Sequence, residues 1–403
     1  MNLKEKWLYN LKIHYTWTFF SSILFLAPII TLYYKYFGLT IHDILVLTSV
    51  FTIFSTLFEI PTSTIWDTIW RVKVMKISVL FSLLSFLLIF LFPNIYIFYL
   101  AVFFSALGNA LWSWTWHAKL QEDLEASWME KQFWKVIWRL IALENIWKLF
   151  TPIVIYFVLK YFENWYQILA WLDVLAYSIW VFFVFKFIEF WKVEKYKTKK
   201  DFFDSQIITF KKAYKFLFWN KNLLLFLTLM ILANDLGYLS RVLLPSLVEN
   251  WVADFLSSYI IWFSVLAGIL WNLLPQKLWD KFSFEKVFMV LILLNSLLHF
   301  SAYFYVDNNF ILSLIFIFIC FVIWIYWPTW NHIIMSLTDI WEKATVRSLF
   351  LMILWLFEAI MLLILSYFDL KITLLLLSIF TFIWFLIWAF NLVLTKKLWT
   401  KQK

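Results

Sequence analysis

Apolar runs of membrane-spanning length follow one another along this chain with almost no pause, and no other feature restricts its fold as much. A helix needs roughly 20 mostly apolar residues to cross the hydrocarbon. Twelve such runs are predicted, at 15–36, 42–62, 74–93, 95–117, 136–160, 165–188, 222–247, 252–275, 285–306, 309–333, 345–367 and 371–394. With 64% of its 403 residues apolar and 15% charged, the chain has too little polar surface to enclose those side chains in one water-soluble core. The expected class is an all-α membrane protein of twelve transmembrane helices in two six-helix halves.

The bases set the expected orientation, because short cytoplasmic loops retain Lys and Arg. With the N-terminus inside, all of the 34 bases fall on the inner side and its flanks except Lys35, Lys160 and Lys371 in outer loops and Arg241 within a helix. Both termini are then cytoplasmic, and the net charge of +9 reports topology, leaving no reason to invoke nucleic acid. The first apolar run is long enough to span and lacks a small-residue cleavage site, so it is not expected to be a cleaved signal. The single cysteine, Cys320, lies inside an apolar run, which leaves no disulfide framework and no Cys-ligated metal site.

The longest polar interval, from 189 to about 221, divides the runs six and six. The expected organisation is an N-terminal half over 1–190, a cytoplasmic linker over 191–221 and a C-terminal half over 222–403. Within the linker "FFDSQIITFKKAYKFLF" alternates apolar and basic positions at helical spacing, as an amphipathic helix on the inner leaflet would, although a plain charged linker helix with no binding role is the preferred reading. A faint repeat relates the halves: "STIWDTIWRVKV" follows the second run, and "WNLLPQKLWDKFSFEKV" follows the eighth.

The first of these loops resembles the signature of the major facilitator superfamily, G-x-x-x-D-R-x-G-R-[RK]. Aligned on Asp67 and Arg71, this chain has Ser63 for the first glycine, Thr68 for the first arginine, Trp70 for the second glycine, then Val72 and Lys73. "FEIPT" before the loop, "ALWSWTWHAKLQEDLE", "EKQFWKVIWRLIALENIWKLFTP" and "EKATVRSLF" extend the resemblance over most of the chain. It implies the family's fold, secondary transport by alternating access, and a conformational latch. In that latch Asp67 faces the positive end of a helix of the other half, expected to be the eleventh run, while Arg71 and Lys73 pair with acids or lipid headgroups. Asp280 and Lys281 are the weaker counterpart in the second half.

The departures from the family pattern are consistent, since tryptophan stands where glycine or another small residue is tolerated. Trp pairs four apart occur at 66/70, 112/116, 134/138 and 384/388, a spacing that membrane helices usually fill with small residues so that backbones can touch. The chain has 28 Trp and 4 Gly, and together they amount to about the usual glycine share of roughly 7%. Most of these tryptophans therefore read as glycines encoded by UGA in a lineage that decodes this codon as glycine. Trp165 and Trp399, at membrane boundaries, fit genuine interfacial residues.

Ionisable groups inside membrane spans are costly and are default functional candidates. Glu59, Glu144, Asp173, Asp235, Arg241 and Glu358 are the candidates for coupling or substrate binding, with Asn109 as a cavity-lining group. Asp235 and Glu358 lie near mid-membrane by residue count and suit a proton carrier; for each candidate a buried structural pair fits equally. Glu144 and Lys148, four apart, can neutralise one another. Arg139 and Asp123, near the inner ends, read as parts of a gate. Neither a metal-ligand spacing among His, Asp and Glu nor a phosphate-binding glycine loop is present, so no cofactor and no ATP-driven pump are expected.

The resemblance thus implies a bacterial cytoplasmic-membrane protein, monomeric and not an enzyme, in contact with lipids, a small-molecule substrate and protons. A proton-coupled efflux antiporter is the leading expectation; a nutrient or metabolite importer of the same fold is the first alternative and a multipass membrane enzyme the second. The coding sequence tests the glycine assignment directly. UGA is expected at Trp66, Trp70, Trp112, Trp116, Trp134 and Trp138, and UGG at those positions would refute it.

Overall fold

The computed structural model describes residues 3–66, 71–112, 115–125, 133–189, 199–220, 223–224, 227, 284–319, 321–322 and 343–399. The described chain is helical. In the first part lie α1 (Leu3–Ser21), α2 (Ile30–Tyr36), α3 (Ile41–Trp66), α4 (Arg71–Leu91), α5 (Ile95–Trp112), α6 (Thr115–Glu125), α7 (Phe133–Tyr161), α8 (Trp165–Phe185) and α9 (Lys199–Trp219). In the second lie α10 (Phe284–Phe304), α11 (Asn309–Ile319), α12 (Lys343–Leu365) and α13 (Leu370–Trp399). Among the described residues six helices contain a segment long and apolar enough to cross a membrane, within α3, α4, α5, α8, α10 and α13. The predicted spans 222–247 and 252–275 lie outside the described residues, apart from three positions.

The helix ends follow from local chemistry. Thr40 and Asp43 form a reciprocal cap at the start of α3: the Thr40 N–H donates to the Asp43 carboxylate at 2.8 Å and the Asp43 N–H donates to the Thr40 hydroxyl at 3.2 Å. Asn94, Asn308 and Asp369 accept backbone N–H groups at the starts of α5, α11 and α13. Between α2 and α3 the chain turns at Gly38, with φ +87°, a conformation that costs glycine little.

The predicted span 15–36 is interrupted. α1 ends at Ser21, a single 3₁₀ turn covers Ala27–Ile29, and α2 resumes at Ile30. Pro28 explains the break, since its ring would meet the carbonyl four residues back and it has no N–H to donate. Hydropathy alone passes over such a break because Ser22 to Leu26 are mostly apolar.

The chain divides into two compact units, Met1–Ile208 and Thr209–Lys403, with the division inside α9. In the first, α4 packs along α5 and α8, α5 along α3, and α1 against α7 and α8. Leu80, Leu84, Leu91 and Leu100 on α4 and α5 are exposed while Ser78 and Ser85 are buried, as expected where lipid replaces water outside. The buried hydroxyls are satisfied: Ser78 donates to the Gly108 carbonyl and Ser85 to the Ala101 carbonyl, both at 2.7 Å. In the second unit α10 packs on α13, with the Ser296 hydroxyl donating to the Ser378 carbonyl at 3.2 Å.

Gly108 marks a close approach of α4 to α5. A Cβ there would lie 2.6 Å from the Ser82 hydroxyl oxygen and 3.1 Å from the Ser78 carbonyl oxygen. The hydroxyl can rotate away, but the carbonyl cannot. Gly108→Val is expected to cost about 1–3 kcal/mol through overpacking, read as a lower thermal unfolding midpoint in detergent; an unchanged midpoint would contradict this packing.

Candidate functional site

Two polar centres in the first unit both involve α1. The first joins α1, α4, α6 and the residues after α8. Lys119 and Asp123, one turn apart on α6, are fully buried and paired. From α1, the Asn10 amide nitrogen donates to Asp123 at 3.2 Å and to the Ile188 carbonyl at 2.9 Å, and its amide oxygen accepts the Ile188 N–H at 3.1 Å. His14 brings Nε2 to 3.5 Å from Asp123 and accepts the Trp17 indole N–H on Nδ1 at 3.2 Å. That arrangement places the proton of a neutral ring on Nε2, facing the acid.

Glu189 carries the network on to α4. One of its oxygens lies 3.9 Å from the Lys119 ammonium, and the other accepts the Val72 N–H at 2.8 Å. Burial pushes the Glu189 carboxyl above its ordinary pKa, opposed by the Lys119 charge, the Val72 N–H and the nearby Arg71 guanidinium. The first turn of α4 is thereby held against a buried ion cluster. Arg71, from the resembled signature, belongs to this surrounding, whereas Lys73 is exposed. Asp67 lies outside the described residues, as do Asp280 and Lys281.

The second centre is at the break in the first span. Asp173, fully buried on α8, accepts the N–H groups of Phe25 and Leu26 at 2.6 and 2.9 Å. These are amides that the interrupted helix leaves without a helical acceptor. Asp173 therefore closes the backbone of another helix.

The remaining candidates fall in both units. Glu59 and Glu358 are buried, at 6% and 7% exposure. Asn109 is exposed and donates to the Ser55 hydroxyl at 2.9 Å. Glu144 is half-buried and Arg139 exposed; the Lys148 side chain, Asp235 and Arg241 are outside the described residues. His299 is buried with Nδ1 2.7 Å from the Asn295 carbonyl, within one turn of α10. No cluster of three or more His, Cys, Asp or Glu able to hold a metal occurs among the described residues.

Sequence reasoning does not single out Asn10, His14, Lys119 or Glu189. The Lys119/Asp123 spacing is a usable signal, but Asn10 and Glu189 are 179 positions apart and acquire their role only where the middle of α1 meets the residues after α8. Four indoles fill the adjacent space: Trp17 meets Trp112 and Trp116 edge-on at centroid distances of 4.9 and 5.7 Å, and Trp112 meets Trp180 at 5.2 Å.

No protein-family model matches the chain, and no curated protein sequence matches it. Solved structures do. A point mutant of the nucleoside transporter NupG superposes with TM-score 0.74 at 12% identity, over 96% of this chain and 99% of that one. A D-xylose-proton symporter gives 0.71 at 11% identity, over 95% and 96%. The POT family transporter PepTSo gives 0.71 at 11% identity, over 99% of both chains. The chain shares the fold of these transporter structures, and its apolar helices are those of a multi-pass membrane protein.

The buried ion cluster has a measurable consequence. Removing one partner of a buried pair leaves an uncompensated charge, a loss of about 3–5 kcal/mol. Asp123→Ala should approach that loss, whereas Lys119→Met combined with Asp123→Leu should be milder; equal unfolding midpoints for the single and double variants would argue against a buried Lys119 charge.

Proposed function

We propose that this chain is a secondary active transporter that moves a small molecule by alternating access, with a proton as the coupling ion. The observation that carries this is the full-length likeness to transporter structures in a chain that buries the carboxyl groups of Glu59, Asp173 and Glu358. Buried acids in a membrane span are costly to retain and suit proton transfer. Asp235 and Arg241 complete the candidate set for coupling and substrate binding, with Glu144 and Asn109 beside them.

In this mechanism the halves rock about a central site, and the inner ends of the helices form and release contacts. Arg71 and the Lys119–Asp123–Glu189 cluster hold α4, α6 and α8 together on one side. Asp67, Lys73, Asp280 and Lys281 act as the latch. The amphipathic α9, with exposed Lys211, Lys212 and Lys215 beside exposed Ile207, Ile208 and Phe218, lies on an anionic inner leaflet. The protein works as a monomer in a bacterial cytoplasmic membrane with both termini inside.

Efflux by proton antiport is the first direction considered. Uptake is favoured by one specific observation, that a neighbouring structure is a xylose-proton symporter. We also assign most tryptophans to recoded glycine. The close approach at Gly108 supports this at one position, because glycine at 112 would extend it to a small-xxx-small contact along α5.

Proteoliposomes with an imposed pH gradient test the function. A nucleoside, D-xylose and a dipeptide, offered in turn, are expected to include one solute whose flux follows the proton gradient. Glu358→Gln or Asp235→Asn should abolish that coupling. Absence of solute-dependent proton movement with all three would go against this substrate range, and unaffected flux in both variants would remove those acids as carriers.

A further inference from the structure

A carboxylate in a membrane interior that holds another helix together has two stable arrangements, and they differ by one proton. Asp173 is fully buried, eight residues into α8, and its two hydrogen-bond donors are backbone amides, which are neutral. On its own helix the ionisable neighbour one turn further along is Tyr177, a phenol that carries no charge near neutral pH. No lysine, arginine or histidine among the described residues is paired with it. α1, α4 and α7 pack against α8; of their ionisable groups, His14 of α1 serves the Asp123 cluster, Arg71 of α4 lies beside Glu189, Lys76 of α4 sits over the Phe185 ring and Lys160 of α7 donates to the Tyr156 hydroxyl, while Lys73 of α4 and Arg139 of α7 are exposed and Glu144 of α7 is half-buried. A buried carboxylate without a cation is costly, and proton uptake removes that cost.

Protonation would also change what the group can hold. The ionised carboxylate gives each amide its own charged acceptor, and charge-assisted bonds of this kind are about twice as strong as neutral ones. The acid keeps one good acceptor oxygen, while its O–H becomes a donor facing two N–H groups that are donors themselves. One of the two bonds is lost and the other weakens. The segment released is the interruption between α1 and α2, where Pro28 prevents a continuous helix from taking up the freed amides. The inner part of α1 meanwhile stays tied to Asp123 and Ile188 through Asn10. Freed at one end and clamped at the other, α1 and α2 can change their mutual angle.

We propose that Asp173 is a proton-binding group of the transport cycle, beside any carrier among Asp235 and Glu358, and that Ser22–Leu26, in the break of the first span, is the hinge its protonation releases. This rests on the transporter reading and specifies it: the proton acts on the backbone of a helix. Asp173 is a positioning residue for the hinge as well as a proton site, and a merely structural cap would hold the break equally at any pH.

Hydrogen exchange on the full chain in nanodiscs of phosphatidylethanolamine and phosphatidylglycerol separates these roles. Protection of the Phe25 and Leu26 amides, corrected for intrinsic exchange rate, should fall about tenfold or more as a charge-assisted bond is lost between about pH 8 and about pH 5. A carboxylic C=O infrared band should rise in parallel. Asp173→Asn should abolish the band change and leave low protection at every pH, and Asp173→Glu should restore a pH-dependent response. Protection of the wild-type amides that does not vary with pH, or the same pH dependence in Asp173→Asn, overturns the proposal, and the wild-type titration decides it even if a variant fails to fold. The readout needs no solute. Flat protection alongside solute-coupled proton flux removes the Asp173 hinge and leaves the transporter; a titrating hinge supports the proposal's structural half even where the three trial solutes fail.

Discussion

Hydrocarbon offers no water to a backbone amide that loses its acceptor, so any interruption of a membrane helix must be closed by another part of the protein. The first span shows how far this requirement reaches. Pro28 ends the regular ladder, Phe25 and Leu26 are left with unspent donors, and Asp173 from α8 takes both. A polar side chain that would be unfavourable alone becomes the completion of a neighbouring helix. The same requirement explains the many hydroxyls turned back on their own helices, such as Thr48 to Ile44, Ser49 to Leu45 and Ser178 to Val174.

α1 connects the two polar centres. Around its middle Asn10 and His14 meet Asp123, and just beyond its end the chain rests on Asp173. α8 contributes to both as well, through Asp173 on one side and through Ile188 and Glu189 after its last turn on the other. Movement of α1 against α8 therefore changes hydrogen bonds at both centres together. Tight packing then makes such movement a choice between arrangements, since α4 and α5 meet closely at Gly108.

Much of the candidate site could be found from sequence, though not its pairing. Asp173, Glu59 and Glu358 stand out because charge inside an apolar run is rare, and all three are buried. What Asp173 holds is not legible there, because its partners are backbone atoms nearly 150 positions away and carry no side-chain signal. Lys119 and Asp123 are near in sequence, yet Asn10, His14 and Glu189 join them only through tertiary contact. Boundaries shift for local reasons. The run 15–36 divides at a proline that hydropathy does not weigh.

The sequence by itself determined the solvent, the all-helical class and the approximate spans, because each depends on the sum of side-chain transfer energies along a local stretch. It also marked the ionisable residues that lipid makes costly. Only the tertiary structure decided which of them face a counter-charge, which face backbone, and which helices meet closely enough to need a residue without a Cβ. Those outcomes depend on distances between residues far apart in the chain, and hydrocarbon, which supplies no alternative partner, turns each such distance into a requirement.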